Sequence, residues 1–272
     1  MAPEKFAPDW LALREPADHR SRPDALLAPL VEWWTRRRAA RAVDLGSGTG
    51  SNLRYLAPRL PAHQQWTLVD HDSHLLERGA ALGVDHVAGV AWIERVHGDL
   101  AHEGLASVRR ADLVTASALL DLVSEAWVGR LAQGCAAAGC AALFALTWDG
   151  EIIWRGEEDV DDAFVLEALR AHQRRDKGLG PALGPSGGEA AARALAAVGF
   201  TTTLASSPWR LGPADAALSR ALLEGWAEAA AEQRPQDAPR VRAWAARRLE
   251  TLLHDFDLSV GHTDLLALPP GT

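Results

Sequence analysis

The stretch Val43-Asp44-Leu45-Gly46-Ser47-Gly48-Thr49-Gly50-Ser51-Asn52 reads as a buried strand running into a turn with glycine at three alternate positions, then into a helix. Glycine there permits positive φ and lets a ligand approach the main chain with no Cβ in the way. The start of the following helix adds N–H groups aimed at the same point. Alone, such a loop is weak evidence, because a helix-capping glycine does part of this. Its surroundings strengthen it. Asp44 stands two residues before the first glycine, Asp70 closes the next strand pattern, and Asp99 closes the third in His97-Gly98-Asp99-Leu100. An acid at the end of the second strand can bind both hydroxyls of a ribose, and three acids at the carboxyl ends of consecutive strands line one crevice.

Outward from the loop the pattern alternates. Strands are predicted over 41–45, 65–70, 92–99, 111–117 and 140–148, with helices over 50–60, 73–82 and 124–137 between them and Ser124 at the N-cap of the last. This alternation predicts an α/β fold with a parallel sheet covered on both faces. Residues 1–23 are polar and Pro-rich and read as an arm. Leu26, Leu27, Leu30, Val31 and Trp34 give a helix over 24–38. The second half is more helical. It reads as a helix over 159–174, a loop over 174–185, and a capping-box pattern of Ser186 and Glu189 for a helix ending near Gly199. A strand over 200–206, helices over 213–232 and 239–253, and a closing strand over 258–270 follow.

These residues resemble the class I S-adenosylmethionine-dependent methyltransferase family. AVDLGSGTGSNLRYLA (42–57) is similar to its first motif, LVDHD (68–72) to its acidic second-strand motif, and VHGDL (96–100) to its adenine-side motif. ADLVTASALLDLV (111–123) resembles the segment at its fourth strand. The resemblance covers about residues 40–150 and the closing strands. It implies a Rossmann-like three-layer sandwich, with a mostly parallel seven-stranded sheet and an antiparallel last strand. A helical cap from the N-terminal arm and an insertion at 207–256 would be added here; many family members have only a short turn in place of that insertion. Residues 1–272 are expected to form a single methyltransferase domain. It would comprise an N-terminal arm and helix (1–39), a cofactor-binding core (40–150) and a substrate-side half (151–272).

The resemblance also implies roles. Gly46, Ser47, Gly48 and Gly50 would frame the methionine and ribose portion of S-adenosyl-L-methionine. Asp44 would orient the loop or the methionine ammonium, Asp70 would hold the ribose hydroxyls, and His71 would flank the adenine. Asp99 would meet the adenine amino group, the Leu100 N–H a ring nitrogen, and Ser117 the methionine part. Asn52 joins them as the only asparagine, placed just after the glycine loop; Tyr55, the only tyrosine, falls in the same helix. The rival reading is an NAD(P)-dependent oxidoreductase. Its G-x-G-x-x-G spacing is set by a pyrophosphate. Here the third glycine comes one residue early, and Asp44 would set a carboxylate near that pyrophosphate. A noncatalytic adenosyl-ligand-binding protein stays open, since the cofactor motifs do not separate it from an enzyme.

Methyl transfer from a sulfonium, with S-adenosyl-L-homocysteine as product, needs chiefly alignment and exclusion of water. A base is needed only if the acceptor must lose a proton. The fourth strand runs into TASALLD, without the Asn/Asp-Pro-Pro-aromatic motif of adenine or glutamine methylation and without the Pro-Cys of cytosine-C5 enzymes. With a net charge of −8, this favours O or N of a small-molecule substrate over nucleic acid. The arm offers Trp10, Arg14, Asp18, His19, Arg20 and Arg22. Arg14 and Arg20 are taken as substrate contacts, as are Trp148 and, in the 174–185 loop, Lys177. Asp121 after strand four and His172 are the candidate catalytic groups; a helix-start aspartate and a surface histidine are the plainer readings. Trp148, Trp154, Trp209, Trp226 and Trp244 make either an aromatic pocket wall or, more commonly for such residues, core packing.

The histidines show no metal spacing, so no metal is expected. Cys135 and Cys140 are too few for a disulfide framework. No apolar run reaches the ~18 residues of a membrane span, and the N-terminus lacks a signal-peptide pattern. The expected location is cytoplasmic, with no membrane partner, and a homodimer is left open.

Overall fold

β1 (Arg41–Leu45) is buried along four of its five residues, as a central parallel strand covered on both faces must be. The structure, a computed structural model that describes residues 7–156 and 158–271, places it mid-sheet. The other strands are β2 (Gln64–Asp70), β3 (Val90–His97), β4 (Leu113–Ser117), β5 (Ala141–Arg155), β6 (Thr201–Ser206), β7 (Trp209–Leu211) and β8 (Asp257–Leu268). Their order is β3-β2-β1-β4-β5-β8-β6, with β7 also paired to β8. β1 to β5 pair in parallel, and β8 is antiparallel to β5, β6 and β7. The mostly parallel sheet with an antiparallel last strand is thus present, with the three-residue β7 as an eighth strand outside the seven expected.

Alternation along the strands separates two layers. Val43, Leu45, Val114, Ala116, Ala142 and Phe144 enter one core with Trp127 and Leu131. Ala42, Leu113, Ala141 and Leu143 enter the opposite core with Trp33, Trp34 and Trp66. The flanking helices are α1 (Pro8–Ser21), α2 (Leu27–Arg37), α3 (Ser51–Leu56), α4 (Ser73–Ala81), α5 (Leu105–Val108) and α6 (Glu125–Ala138). Then follow α7 (Asp162–Gln173), α8 (Gly187–Ala197), α9 (Ala216–Gln233) and α10 (Ala238–Thr251). Ser124 caps α6 as expected, its hydroxyl accepting from the Trp127 N–H. No helix among the described residues is long and apolar enough to cross a membrane.

Three elements differ from the sequence reading. The arm is a 14-residue helix, α1, despite Pro16 inside it; residues 1–6 of the arm lie outside the described residues. Tertiary anchors hold α1 in place of an amphipathic period: Arg54 pairs with Glu15, and Trp209 Nε1 donates to Asp18 at 3.1 Å. β5 runs seven residues past the expected end at Trp148. Asp149 and Gly150 fall within a register shift between Trp148 and Ile152 against β8. The long β5–β8 pair carries a third core of Trp209, Leu222, Leu223 and Trp244, built from β7, α9 and α10. Finally, Ser186 and Glu189 form no capping box. The Ser186 hydroxyl donates to Leu183 O, and Glu189 faces Arg193. Gly187, the first residue of α8, has no room for a side chain, since a Cβ there would sit 2.5 Å from Leu120 O.

Candidate active site

The sheet order reverses between β2-β1 and β1-β4, which opens a crevice at the carboxyl ends of these strands. The turn after β1 fills its floor. Gly48 and Gly50 have φ of 53° and 81°, a region that favours glycine. The Gly48 N–H donates to Asp70 Oδ2 at 2.7 Å, and the Asp72 N–H donates to Asp70 Oδ1 at 2.9 Å. Asp70, only 4% exposed, therefore fixes the loop from the end of β2.

A cavity of about 400 Å³ lies over this loop. Gly46, Gly48, Asp70 and His71 line it, with Asp99, Leu100 and Ser117 across from the other strand ends. A recess of about 60 Å³ continues to Asp44, Ser47 and Asn52. Gly50 lines neither; it is the left-handed N-cap of α3. Asp44 Oδ2, Ser47 Oγ and His71 Nε2 are buried with no hydrogen-bond partner. Buried polar atoms are rarely left so; Asp44 and Ser47 at the recess and His71 in the adjoining cavity fit a polar ligand.

Burial pushes the Asp44 carboxyl up to about 7; the Asn52 hydrogen bond and the Arg22 charge oppose this, and the Asp70 charge adds to it. The neutral acid is therefore present below about pH 7, and a cationic ligand would drive its ionisation. Asn52 has a different part from the cofactor contact expected of it. Its Nδ2 donates to Asp44 Oδ1 and to Thr115 Oγ1, each at 2.9 Å, and its Oδ1 accepts from Arg22 Nη1 at 3.0 Å. With both N–H groups donated, it orients Asp44. Asp99 is half exposed. Its carboxylate accepts from the His102 ring and from the Ala101 and His102 N–H groups, and the bond from His102 is the chief force holding its carboxyl below the usual range. Tyr55 is in the core.

α1 roofs the crevice. Leu11 Cδ1 would be 3.2 Å from a Cβ on Gly48. Arg14, one helical turn on, is held by Asp18 through Nε at 2.9 Å and Nη2 at 3.1 Å. Arg14 also borders a second cavity of about 180 Å³, which shares Ala118 and Leu122 with the first. Ala118 at this shared wall and Leu146 in the second cavity have φ of 53° and 54°, a conformation that costs a non-glycine residue energy and clusters at functional sites. Leu146 stands where β5 slips register against β8, its N–H donating to Asp264 Oδ1 at 2.8 Å.

Of the residues expected at the substrate, Asp121 and Trp148 line the second cavity. Trp209 and Trp226 do so too, with Trp10 of α1. Trp154 and Trp244 do not: Trp244 Nε1 donates to Asp162, and Arg248 covers the Trp154 ring. Lys177 lines the first cavity instead, with the glycine loop. Two expectations are corrected. Arg20 turns away to Asp215 at 2.7 Å. His172 faces Glu232 at 3.3 Å and lines neither cavity, because its neighbour Gln173 takes the inward direction. Leu11, Gln173 and His262 are site residues the sequence reading passed over. His262 is pushed down to about 3 by burial, with the Arg14 charge acting the same way, so its imidazole is neutral at physiological pH. Its Nδ1–H donates to Val260 O at 3.0 Å, which leaves Nε2 as the acceptor. Among the described residues no group of three His, Cys, Asp or Glu is placed to hold a metal.

No protein-family model and no curated protein matches the chain. Solved structures do. A protein of Anaeromyxobacter dehalogenans assigned as a type II methyltransferase is 15% identical with a TM-score of 0.52, over 91% of this chain and 97% of that one. An S-adenosylmethionine-dependent methyltransferase of Geobacter sulfurreducens, solved with S-adenosyl-L-homocysteine, is 16% identical with a TM-score of 0.43, over 97% and 98%. The chain thus has the Rossmann-like fold of the A. dehalogenans protein.

Proposed function

We propose that the chain is an S-adenosylmethionine-dependent methyltransferase that acts on O or N of a small molecule. The observation that carries this reading is the paired cavity. A glycine-floored site with Asp70 and three unpartnered buried polar atoms shares a wall with a second, mostly apolar site that holds a carboxylate. When bound, the cofactor would supply a sulfonium methyl group to a nucleophilic acceptor. The chain's own groups do the rest. Asp70, set in place by the Gly48 N–H, would hold the ribose hydroxyls, and Asp44 would meet the ammonium. Leu11 and Arg14 of α1 exclude water, and Asp121 takes the acceptor's proton.

The deciding experiment is calorimetry with adenosylhomocysteine and, separately, with NAD(P). Binding of the first and not the second is expected; the reverse would overturn the reading. Turnover across a metabolite panel then separates an enzyme from a binding-only protein. Asp121→Asn should lower kcat roughly a hundredfold on any acceptor turned over, with adenosylhomocysteine affinity within about twofold of wild type. A kcat within threefold would remove Asp121 from the chemistry.

Affinity should also depend on pH with a definite sign. Below about pH 7 the recess holds protonated Asp44, so binding an ammonium there must release that proton. Affinity should then rise by up to about tenfold per unit as pH rises toward 7 and level off above it. Asp44→Asn should flatten the profile. A flat wild-type profile would show that Asp44 does not meet the ammonium.

A further inference from the structure

We infer that the second cavity takes a planar aromatic acceptor carrying an O–H or N–H group. The inference rests on the methyl-transfer reading and names the substrate class of that same site. Four indoles from four separate segments meet around this small space: Trp10 of α1, Trp148 of β5, Trp209 of β7 and Trp226 of α9. Trp10, Trp148 and Trp226 are half-buried at the margin of the third core, so part of each ring is left for a ligand. Trp209 is fixed more firmly. Its Nε1 donates to Asp18, the Arg14 guanidinium lies 5.1 Å from its ring centroid, and the His262 ring is 4.8 Å away. Aromatic faces held this way favour flat rings, which gain from stacked or edge-to-face contact beyond the area they bury.

Aromatic walls also suit quaternary ammonium ligands, and ring shape and hydrogen bonding decide between the two. The Arg14 guanidinium is paired with Asp18, and its charge helps hold His262 neutral. The remaining polar groups are chiefly acceptors. Asp121 brings a carboxylate, His262 brings Nε2, and the carboxamide oxygen of Gln173 is buried without a partner. Such a set asks a ligand for hydrogen-bond donors. A flat ring with a hydroxyl or amine meets both demands. An alkyl alcohol meets only the second, and a methylated ammonium ion has no flat ring and at most one hydrogen to donate.

The test is calorimetry on the whole chain saturated with adenosylhomocysteine. The probes are phenol, 2-naphthol and 5-hydroxyindole, against the non-aromatic partners cyclohexanol and decahydro-2-naphthol, and trimethylammonium. The aromatic probes should bind roughly tenfold or more tightly than their saturated partners. Trp226→Leu should erase most of that preference while leaving adenosylhomocysteine affinity within about twofold. Equal affinity for flat and saturated partners, no binding of any aromatic probe, or tighter binding of trimethylammonium would overturn the inference. Failure of adenosylhomocysteine to bind wild type would instead overturn the methyltransferase reading.

Discussion

Asp70→Ala should weaken adenosylhomocysteine binding by about a hundredfold. The carboxylate has two duties. Toward the protein it accepts the Gly48 and Asp72 N–H groups, charge-assisted bonds that set the loop and the turn after β2. Toward the cavity it is the buried acid at the end of β2, where the proposed cofactor's ribose hydroxyls would bind. Hydrogen bonds to a charged group contribute about 1.5–3 kcal/mol each. Two of these lost on the ligand side alone give about 3 kcal/mol, or about two decades in Kd. Relaxation of the unanchored loop can only add to this. Asp99→Ala is the control. That carboxylate is half exposed and already engaged by the Ala101 and His102 N–H groups and the His102 ring, so its loss should cost no more than about fivefold. Asp70→Ala binding within threefold of wild type would show that the ribose side of the cofactor is not where this site places it.

How legible this site was in the sequence depended on the range of the contacts that build it. The glycine loop, Asp44 and Asp70 were visible because each belongs to a short strand–turn segment whose chemistry is local. The parallel sheet was visible through short apolar strand patterns alternating with helix patterns along residues 41–148. α1 was not. It is a helix because Glu15, Asp18 and Arg20 find Arg54, Trp209 and Asp215, partners far away in the chain, and Pro16 masks what remains of its pattern. His172 shows a different limit. Successive residues on a helix point about 100° apart, so choosing the right segment still left Gln173, not His172, facing the cavity. The tryptophans divided for another reason: which of them line the second cavity depends on long-range packing over the β5–β8 pair, which runs past the strand end expected at Trp148.

Asp264→Ala should destabilise the fold by roughly 3–5 kcal/mol, since breaking a buried ion pair leaves the surviving charge uncompensated. Asp264 is 1% exposed. It accepts from Arg22 Nε at 2.8 Å, from Ser207 Oγ at 2.6 Å and from the Leu146 N–H at 2.8 Å. Its removal therefore strands a buried guanidinium and releases the slipped segment of β5 that lines the second cavity. Urea denaturation would read the loss directly. The double variant Arg22→Met/Asp264→Leu should recover part of it, because an apolar pair of similar volume removes both charges together, while the Ser207 hydroxyl and the Leu146 N–H still lose their acceptor. A single-variant loss under about 1 kcal/mol, or a double variant no better than the single, would show that the pair does not govern stability. The same pair reaches the cofactor site. Arg22 holds Asn52, Asn52 holds Asp44, and the Arg22 charge restrains the rise of the Asp44 carboxyl. In Arg22→Met/Asp264→Leu, Asp44 loses that charge and should ionise at higher pH. The pH at which adenosylhomocysteine affinity levels off should then move upward even where stability is partly restored. This separates the two parts played by one buried arginine: apolar packing can replace its pairing with the last strand, but not its field at the glycine loop.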